Sequence, residues 1–246
     1  MPHRFYAPAL ADGDETVALA EDDASHLVRV LRLGPGAEVR VFNGSGLERT
    51  ARVELAGKRG VVLRVLGPAD SAPELPFPLT LAQAVLKGDG MDEVVRDAVM
   101  LGITRLLPLL TAHSEMSRAH VERSRRLDRW HRVAVSSAKQ CGRAVVPPID
   151  PPAPFADALR SSAGTCYLLV EPRAASTVVS VRELAQGRPA GGAVVIVGPE
   201  GGWAPEELRT ADDAGATLVT LGAVTLRADA AAAVALPVLR YVWGTL

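Results

Sequence analysis

The sequence contains few of the residues that mark several common classes of protein. Among its 246 residues are only two cysteines, Cys141 and Cys166, with no C-x-x-C pair and no paired histidine spacing. Neither a disulfide framework nor a zinc site is therefore indicated, and a reducing compartment is favoured. The N-terminal segment lacks the apolar stretch of a secretion signal, and the longest apolar run, 228–239, is too short to cross a bilayer. We expect a cytoplasmic protein that uses no metal and is not associated with a membrane.

Lysine is also scarce, because Lys58, Lys87 and Lys139 are the only three, and the formal net charge is −1. The basic residues are nevertheless unevenly distributed. Between Ser117 and Arg143, two acidic residues accompany eight basic ones: Arg118, Arg123, Arg125, Arg126, Arg129, Arg132, Lys139 and Arg143. A basic surface on an otherwise neutral protein could bind a polyanion, although a solvated helix face explains the same pattern equally well.

The first part of the chain has the pattern of a small β-barrel. Short β segments ("VALA", "EVRVF", "RTARVELA", "GVVLRVL") alternate with turn signals such as "GPG" and "NGSG". One short helix is predicted over "DDASHLVRVL", with Asp22 or Asp23 as its N-cap. A proline-rich stretch then ends at Pro78. We place the barrel at residues 1–70, a linker at 71–78 and a second domain at 79–246.

The second domain alternates strands with helices, which predicts an α/β domain with a largely parallel sheet. Strands are expected at "LTLAQAV", "ITRLLPLL", "CYLLV", "AVVIV" and "TLVTLG", and helices at "GMDEVVRDAVMLG", in the basic segment, near "VVSVREL", after the glycine-rich loop and in the final alanine-rich run. Ligands of such sheets bind beyond the carboxyl ends of the strands. Three loops should meet there: 170–172, 198–202 and 221–226.

The second of these loops, "GPEGG", narrows the class of ligand. A phosphate-binding P-loop needs a lysine and a Ser/Thr that this loop lacks, and a dinucleotide fingerprint has its glycines at G-x-G-x-x-G, whereas this loop reads G-x-x-G-G. Glu200 would also repel a phosphate. The loop therefore suits a ligand that is neutral or cationic where it touches the protein, unless it is only a tight turn with no ligand.

The segments "GPEGGW" and "LGAVTLRADAAAAVAL" resemble the paired C-terminal motifs of the SPOUT methyltransferases, and in particular of the RsmE family, which methylates N3 of a uridine in 16S ribosomal RNA. Other segments of that family occur in the same order: "RFY", "HLVRVLRLGPG", "FNGSG", "LKGDGMDEVVRDAVMLG" and "KQCGR" followed by "VP". The chain departs from the usual motif at some positions, among them Ala204, Ala223, Val224, Asp229 and Ala230. The resemblance covers nearly the whole chain.

The resemblance implies a trefoil-knotted SPOUT α/β domain behind an N-terminal PUA-like barrel. It also implies an obligate homodimer, bound S-adenosylmethionine, and 16S ribosomal RNA or the small ribosomal subunit as partner. We expect the cofactor to be bound by Val170, Glu171, Gly198, Pro199, Gly201, Gly202, Leu221, Gly222, Val224 and Leu226. Catalysis is assigned to Arg227, Glu200 and Asp229. RNA contacts are expected from Arg4, Arg29, Arg32, Lys87, Arg125, Arg126, Arg129 and Arg143.

Two other functions remain open. A SPOUT enzyme that methylates the ribose 2′-oxygen is a sibling possibility, although the N-terminal barrel and "KQCGR" match the RsmE family better. The altered second motif also allows an RNA-binding ribosome assembly factor that has lost catalysis. Methyl transfer from labelled cofactor to undermethylated small subunits, followed by nucleoside analysis, separates the three.

Overall fold

A computed structural model describes residues 2–57, 60–161, 164–172, 174, 177–184 and 187–246. The chain forms two compact units. The first contains Met1–Glu74 and Val135–Val146, and the second contains Leu75–Ala134 and Pro147–Leu246. The domain boundaries predicted from the sequence placed residues 135–146 in the second domain, whereas the structure groups this segment with the first unit.

The first unit is built on a curled five-stranded sheet. Its strands are β1 (Arg4–Tyr6), β2 (Thr16–Ala18), β3 (Glu38–Phe42), β4 (Glu48–Gly57) and β5 (Gly60–Pro68), in the order β1-β3-β4-β5-β2. The pairing of β1 with β3 is parallel, and the other pairings are antiparallel. Alternate residues of these strands face one core, where Phe5, Val39, Val41 and Leu63 are buried.

The helix of the first unit differs from its prediction. Helix α1 (Glu21–Ser25) begins after Ala20, which has no capping side chain, and continues into a π-helical segment at His26–Val30. The predicted cap at Asp22 or Asp23 is therefore wrong. Asp23 forms an ion pair with Lys139 instead. The π-helical segment buries Leu27 completely and leaves Arg29 exposed.

Arg4 explains why residues 135–146 belong to the first unit. Its guanidinium forms a two-pronged ion pair with the buried Glu48, at 3.0 and 2.7 Å. The remaining donor positions reach backbone carbonyl oxygens at and just beyond the end of a helix, those of Ala138 (2.6 Å), Lys139 (2.9 Å) and Arg143 (2.9 Å). The last carbonyls of a helix lack the intrahelical partners of the interior ones, so the guanidinium of Arg4 supplies donors where the helix ends.

The second unit contains a parallel sheet, as the sequence predicted, with seven strands rather than the five expected. Its strands are β6 (Leu79–Ala84), β7 (Arg105–Leu110), β8 (Ala153–Pro154), β9 (Thr165–Leu169), β10 (Val179–Ser180), β11 (Ala193–Val197) and β12 (Thr217–Thr220). Across the sheet they lie in the order β10-β12-β9-β11-β6-β7-β8. All five residues of the central strand β11 are buried. A strand covered on both faces needs such an unbroken apolar run.

The helices of the chain from Leu75 onward are α2 (Gly90–Met100), α3 (Arg118–Arg123), α4 (Arg126–Cys141), α5 (Phe155–Ser161), α6 (Pro205–Asp213) and α7 (Ala228–Val242). The basic segment was expected to form one helix but forms two, because Arg125 has a φ of 52° and breaks the helical path. The helix predicted near "VVSVREL" is instead strand β10 and a 3-10 turn at Val181–Leu184. Within the described residues, every helix is too short or too polar to span a bilayer.

Candidate active site

The carboxyl ends of three adjacent parallel strands, β12, β9 and β11, open into one cavity. Val170 follows β9, Gly198 follows β11 and Leu221 follows β12. The neighbouring strand β6 adds the residues that lead into α2. The cavity has a volume of about 950 Å³, which lies at the upper end of the range for small-molecule sites. It has room for a nucleoside-sized cofactor together with part of an acceptor.

The residues predicted to bind the cofactor come together around this cavity. Those that line it are Val170, Glu171, Gly198, Pro199, Gly201, Gly202, Leu221, Val224 and Leu226. Gly222 is the exception, because it is not among the described residues of the wall. Its carbonyl oxygen instead accepts a hydrogen bond from the Thr220 hydroxyl at 3.0 Å, which holds the β12–α7 loop in shape.

The glycines of the 198–202 loop have different roles from one another. A Cβ at Gly198 would lie 2.9 Å from the Trp203 ring, and a Cβ at Gly201 would lie 3.0 Å from Cβ of His113. These two glycines make room for the protein's own side chains. Gly202 has a φ of +69° and open space around its Cα, where the nearest atom to an added Cβ is a Glu171 oxygen at 3.7 Å. Of the three glycines that the sequence suggested for close ligand approach, Gly202 is the one at which an added Cβ would meet open space.

Trp203 anchors the glycine loop to the sheet, a role that the sequence reading missed. Its indole N–H donates to the carbonyl oxygen of Leu169 at 2.8 Å. The ring also lies 4.9 Å from the Phe155 ring, centroid to centroid. This single side chain therefore joins the ends of β9 and β11. A tryptophan directly after a glycine-rich loop was the signal available in the sequence.

Helix α6 has Ala204 at its N-cap, where the family that the sequence resembles often has a serine. Glu207 partly replaces the missing cap. One carboxylate oxygen of Glu207 accepts a hydrogen bond from the backbone N–H of Ala204 at 3.0 Å, as the third residue of a capping box does. The other oxygen accepts from the N–H of Ala112 at 2.8 Å. Glu207 thus ties the start of α6 to the loop that follows β7.

Arg227 and Asp229 form a two-pronged ion pair at the edge of the cavity. Arg227 Nε lies 3.2 Å from Oδ1 of Asp229, and Nη2 lies 2.7 Å from Oδ2. The hydrogen bond to Asp229 raises the pKa of Arg227, so this guanidinium stays charged. The Arg227 side chain is 85% exposed, which leaves donor positions available to a ligand.

Glu200 and Lys87 connect the glycine loop to the end of β6. Glu200 Oε1 accepts a hydrogen bond from the backbone N–H of Lys87 at 3.1 Å. The Lys87 ammonium forms an ion pair with Glu115, whose hydrogen bond raises the pKa of Lys87. All three residues predicted to be catalytic, Arg227, Glu200 and Asp229, therefore line one cavity.

The charge of the wall favours a cationic ligand. Two basic side chains, Lys87 and Arg227, are outnumbered by the carboxylates among the described lining residues, which are Asp89, Glu93, Glu171, Glu200 and Asp229. Asp89 and Glu93 lie at and just after the start of α2, and the sequence reading did not assign either of them to the site. A wall of this charge attracts ammonium or sulfonium groups and repels phosphates.

Comparison with known proteins identifies the family. A family model described as an RNA methyltransferase domain matches residues 73–240, and a second, described as an RNA methyltransferase PUA domain, matches residues 19–66. The chain is 33% identical over 237 residues to ribosomal RNA small subunit methyltransferase E from Mycobacterium bovis, covering 94% of this chain and 88% of that one. The chain belongs to the ribosomal RNA small subunit methyltransferase E family.

Solved structures agree with this assignment to the methyltransferase E family. Ribosomal RNA small subunit methyltransferase E from Neisseria gonorrhoeae, bound to S-adenosylmethionine, is 33% identical with a TM-score of 0.86, covering 99% of this chain and 98% of that one. A putative methyltransferase from Legionella pneumophila with bound cofactor SAM is 27% identical with a TM-score of 0.89, covering 98% of each chain. These matches confirm a SPOUT-type α/β domain with a PUA-like domain. Both related structures contain bound S-adenosylmethionine.

The basic residues that were expected to contact RNA in this member of the methyltransferase E family fall into two groups. Arg29, Arg32 and Arg125 are exposed, and so is Lys87, which also lines the cavity. Arg143 is only 4% exposed and forms an ion pair with Glu74, at 2.5 Å. The Arg4 side chain is 11% exposed and is bonded as described above.

The surroundings of Arg4 and Arg143 fit a structural role better than the expected contact with RNA, because both guanidinium groups already bind groups of their own unit. Arg126 and Arg129 also have partners within the second unit. Arg126 donates to the carbonyl oxygen of Gly88, and Arg129 forms ion pairs with Asp89 and Asp92.

Proposed function

We propose that this chain transfers a methyl group from S-adenosylmethionine to N3 of a specific uridine in 16S ribosomal RNA. The observation that carries the proposal is the cavity at the ends of β9, β11 and β12, with the Arg227–Asp229 pair at its edge. Membership of the methyltransferase E family and relatives crystallised with S-adenosylmethionine support it.

The residues present fit the cofactor. Gly202 leaves the backbone open to close approach, and Leu86, Leu221 and Leu226 supply apolar surface for a flat heterocycle. The acidic wall suits the sulfonium and ammonium groups of S-adenosylmethionine, which has no phosphate. When bound, the cofactor supplies a methyl group attached to a positively charged sulfur. The sulfur is a good leaving group because it becomes neutral when the methyl group is transferred. The protein must mainly align the acceptor and manage its proton.

The chemistry of uridine N3 assigns different roles to the charged residues. N3 carries a proton at neutral pH, so this proton must leave as the bond from N3 to the methyl carbon forms. The Arg227 guanidinium would bind a uracil oxygen and stabilise the negative charge that develops on the ring. Asp229 already holds Arg227 in place, so its role is to orient that side chain. Glu200, with one oxygen bonded to Lys87 N–H, would use the other oxygen to accept the proton.

The proposal has two further parts. Exposed basic residues bind the RNA, and the protein acts as a homodimer in the cytoplasm. Arg29 and Arg32 in the first unit and Arg125 in the second have the exposure that phosphate contacts require. Exposed apolar side chains on α7, Val234 and Tyr241, support an interface between two copies. Light scattering of the purified protein at several concentrations tests the dimer directly.

Methylation of undermethylated small subunits tests the function. The protein, labelled S-adenosylmethionine and the subunits are incubated together, and the RNA is then digested to nucleosides. Label in 3-methyluridine is expected. Label in a 2′-O-methylated nucleoside would replace the proposal with the ribose activity, and RNA binding without transfer of label would indicate an assembly factor.

A further inference from the structure

Residues 87–93, which lead from β6 into the first turn of α2, contact Glu200 and lie near Asp229 and Arg227 on one side of the cavity. The backbone N–H of Lys87 binds Glu200 at 3.1 Å. An added Cβ at Gly90 would lie 4.0 Å from Cβ of Asp229. Glu93, on the first turn of α2, is close enough to Arg227 for its charge to help raise the pKa of that arginine. We call residues 87–93 the acceptor-side segment.

Two arginines at the start of α4 hold this segment from its other side. Arg126 Nη1 donates to the carbonyl oxygen of Gly88 at 2.9 Å. Gly88 has a φ of +56°, so the chain turns sharply at the point that Arg126 binds. Arg129 Nη2 lies 2.9 Å from Oδ1 of Asp89 and 2.5 Å from Oδ2 of Asp92. The acceptor-side segment is therefore fixed between α4 and the glycine loop.

We infer that Arg126 and Arg129 are positioning residues for methyl transfer, acting through the acceptor-side segment on Glu200, Asp229 and Arg227. This inference rests on the proposed function of the cavity. Neither arginine is among the described residues that line the cavity, so we expect their effect to pass through the backbone and carboxylates that they hold. Small displacements of catalytic groups slow a reaction strongly even when binding is preserved.

The local charge separates this role from the contact with RNA that the sequence suggested. Two carboxylates, Asp89 and Asp92, face the single guanidinium of Arg129. These three side chains therefore carry a net negative charge, which disfavours the approach of a phosphate to Arg129. Arg126 has one Nη committed to a carbonyl oxygen, and its Nε is buried. Arg132, further along α4, is exposed and serves as a matched control.

Variants that remove either side of the contact test the inference. Arg129→Ala removes the guanidinium, and the double variant Asp89→Asn, Asp92→Asn removes its partners without removing a positive charge. We expect both to slow single-turnover methylation about tenfold at saturating cofactor and RNA, within the loss that a small misplacement causes. Their combination should be little slower than either alone, because they break one contact. Arg129→Lys should recover part of the rate, and Arg132→Ala should keep the full rate.

Binding measurements and hydrogen exchange complete the test. We expect unchanged affinity for RNA in the Asp89→Asn, Asp92→Asn variant, and faster amide exchange in residues 87–93 in it and in Arg129→Ala, but not in Arg132→Ala. If Arg129→Ala weakens RNA binding and leaves both the saturated rate and the exchange unchanged, Arg129 is an RNA contact and the inference is wrong. If the wild type transfers no methyl group, the proposed function fails, and the exchange data still decide whether Arg129 holds the segment.

Discussion

The imidazole Nδ1 of His113 lies 3.0 Å from the carbonyl oxygen of Gly202. A carbonyl oxygen only accepts hydrogen bonds, so Nδ1 carries the proton in this contact. His113 belongs to the loop after β7, and Gly202 ends the glycine loop that lines the cavity. Together with the bond from Ala112 N–H to Glu207, this contact braces the glycine loop from outside the cavity.

His113→Ala should therefore weaken the binding of S-adenosylmethionine. Loss of a hydrogen bond of about 1 kcal/mol corresponds to roughly fivefold weaker binding, because a more mobile loop must be ordered when the cofactor binds. Isothermal titration calorimetry measures the change. His120→Ala, at an exposed histidine of α3, is the control and should bind normally. Equal affinity in both variants would show that the brace has no role in cofactor binding.

Gly202→Ala should reduce both stability and cofactor affinity. The left-handed backbone at Gly202 makes a Cβ unfavourable by about 1–2 kcal/mol, and the added methyl group also enters space that the cofactor would occupy. Gly215 has a similar φ, +73° against +69°, with open space around it and a position outside the described wall of the cavity. Gly215→Ala should lower the melting temperature similarly while binding the cofactor normally. Normal binding in both variants would contradict close approach at Gly202.

Arg227→Ala should lower the single-turnover rate at saturating substrates by about 10²-fold, the scale for loss of a charge contact in the transition state. Cofactor affinity and the melting temperature should change little, because the side chain is 85% exposed. Arg209→Ala, which removes another exposed arginine paired with a neighbouring carboxylate, controls for general charge effects. A variant that loses cofactor binding but keeps the saturated rate would make Arg227 a structural residue.

The double variant Arg29→Ala, Arg32→Ala should bind RNA more weakly and with a shallower dependence on salt. Each lost phosphate contact reduces the slope of log K against log[salt] by about 0.7–0.9, so a decrease of about 1.4–1.8 is expected if both contact phosphates. Filter binding at several salt concentrations measures it. Arg52→Ala, an exposed arginine of β4 paired with Glu38, should keep the wild-type slope. An unchanged slope in the double variant would show that Arg29 and Arg32 are only solvated.

The sequence alone determined the parallel sheet, five of its strands and the meeting of three loops at their carboxyl ends. These features depend on short-range patterns: a buried strand such as Ala193–Val197 needs an unbroken apolar run, and a glycine-rich turn directly after it must lie at its carboxyl end. Motifs identified the family for the same reason, because the residues of each loop are consecutive in the chain.

Only the tertiary structure decided what individual charged side chains and glycines do. Arg4 finds its partners 44 and 134 residues away, at Glu48 and Ala138, and nothing near it in the chain distinguishes it from the exposed Arg29. Likewise, Gly198 makes room for Trp203, whereas Gly202 faces open space in the cavity. An arginine has the same local pattern whether it meets solvent, RNA or a buried carboxylate, so its role depends on which distant groups the fold brings within hydrogen-bonding distance.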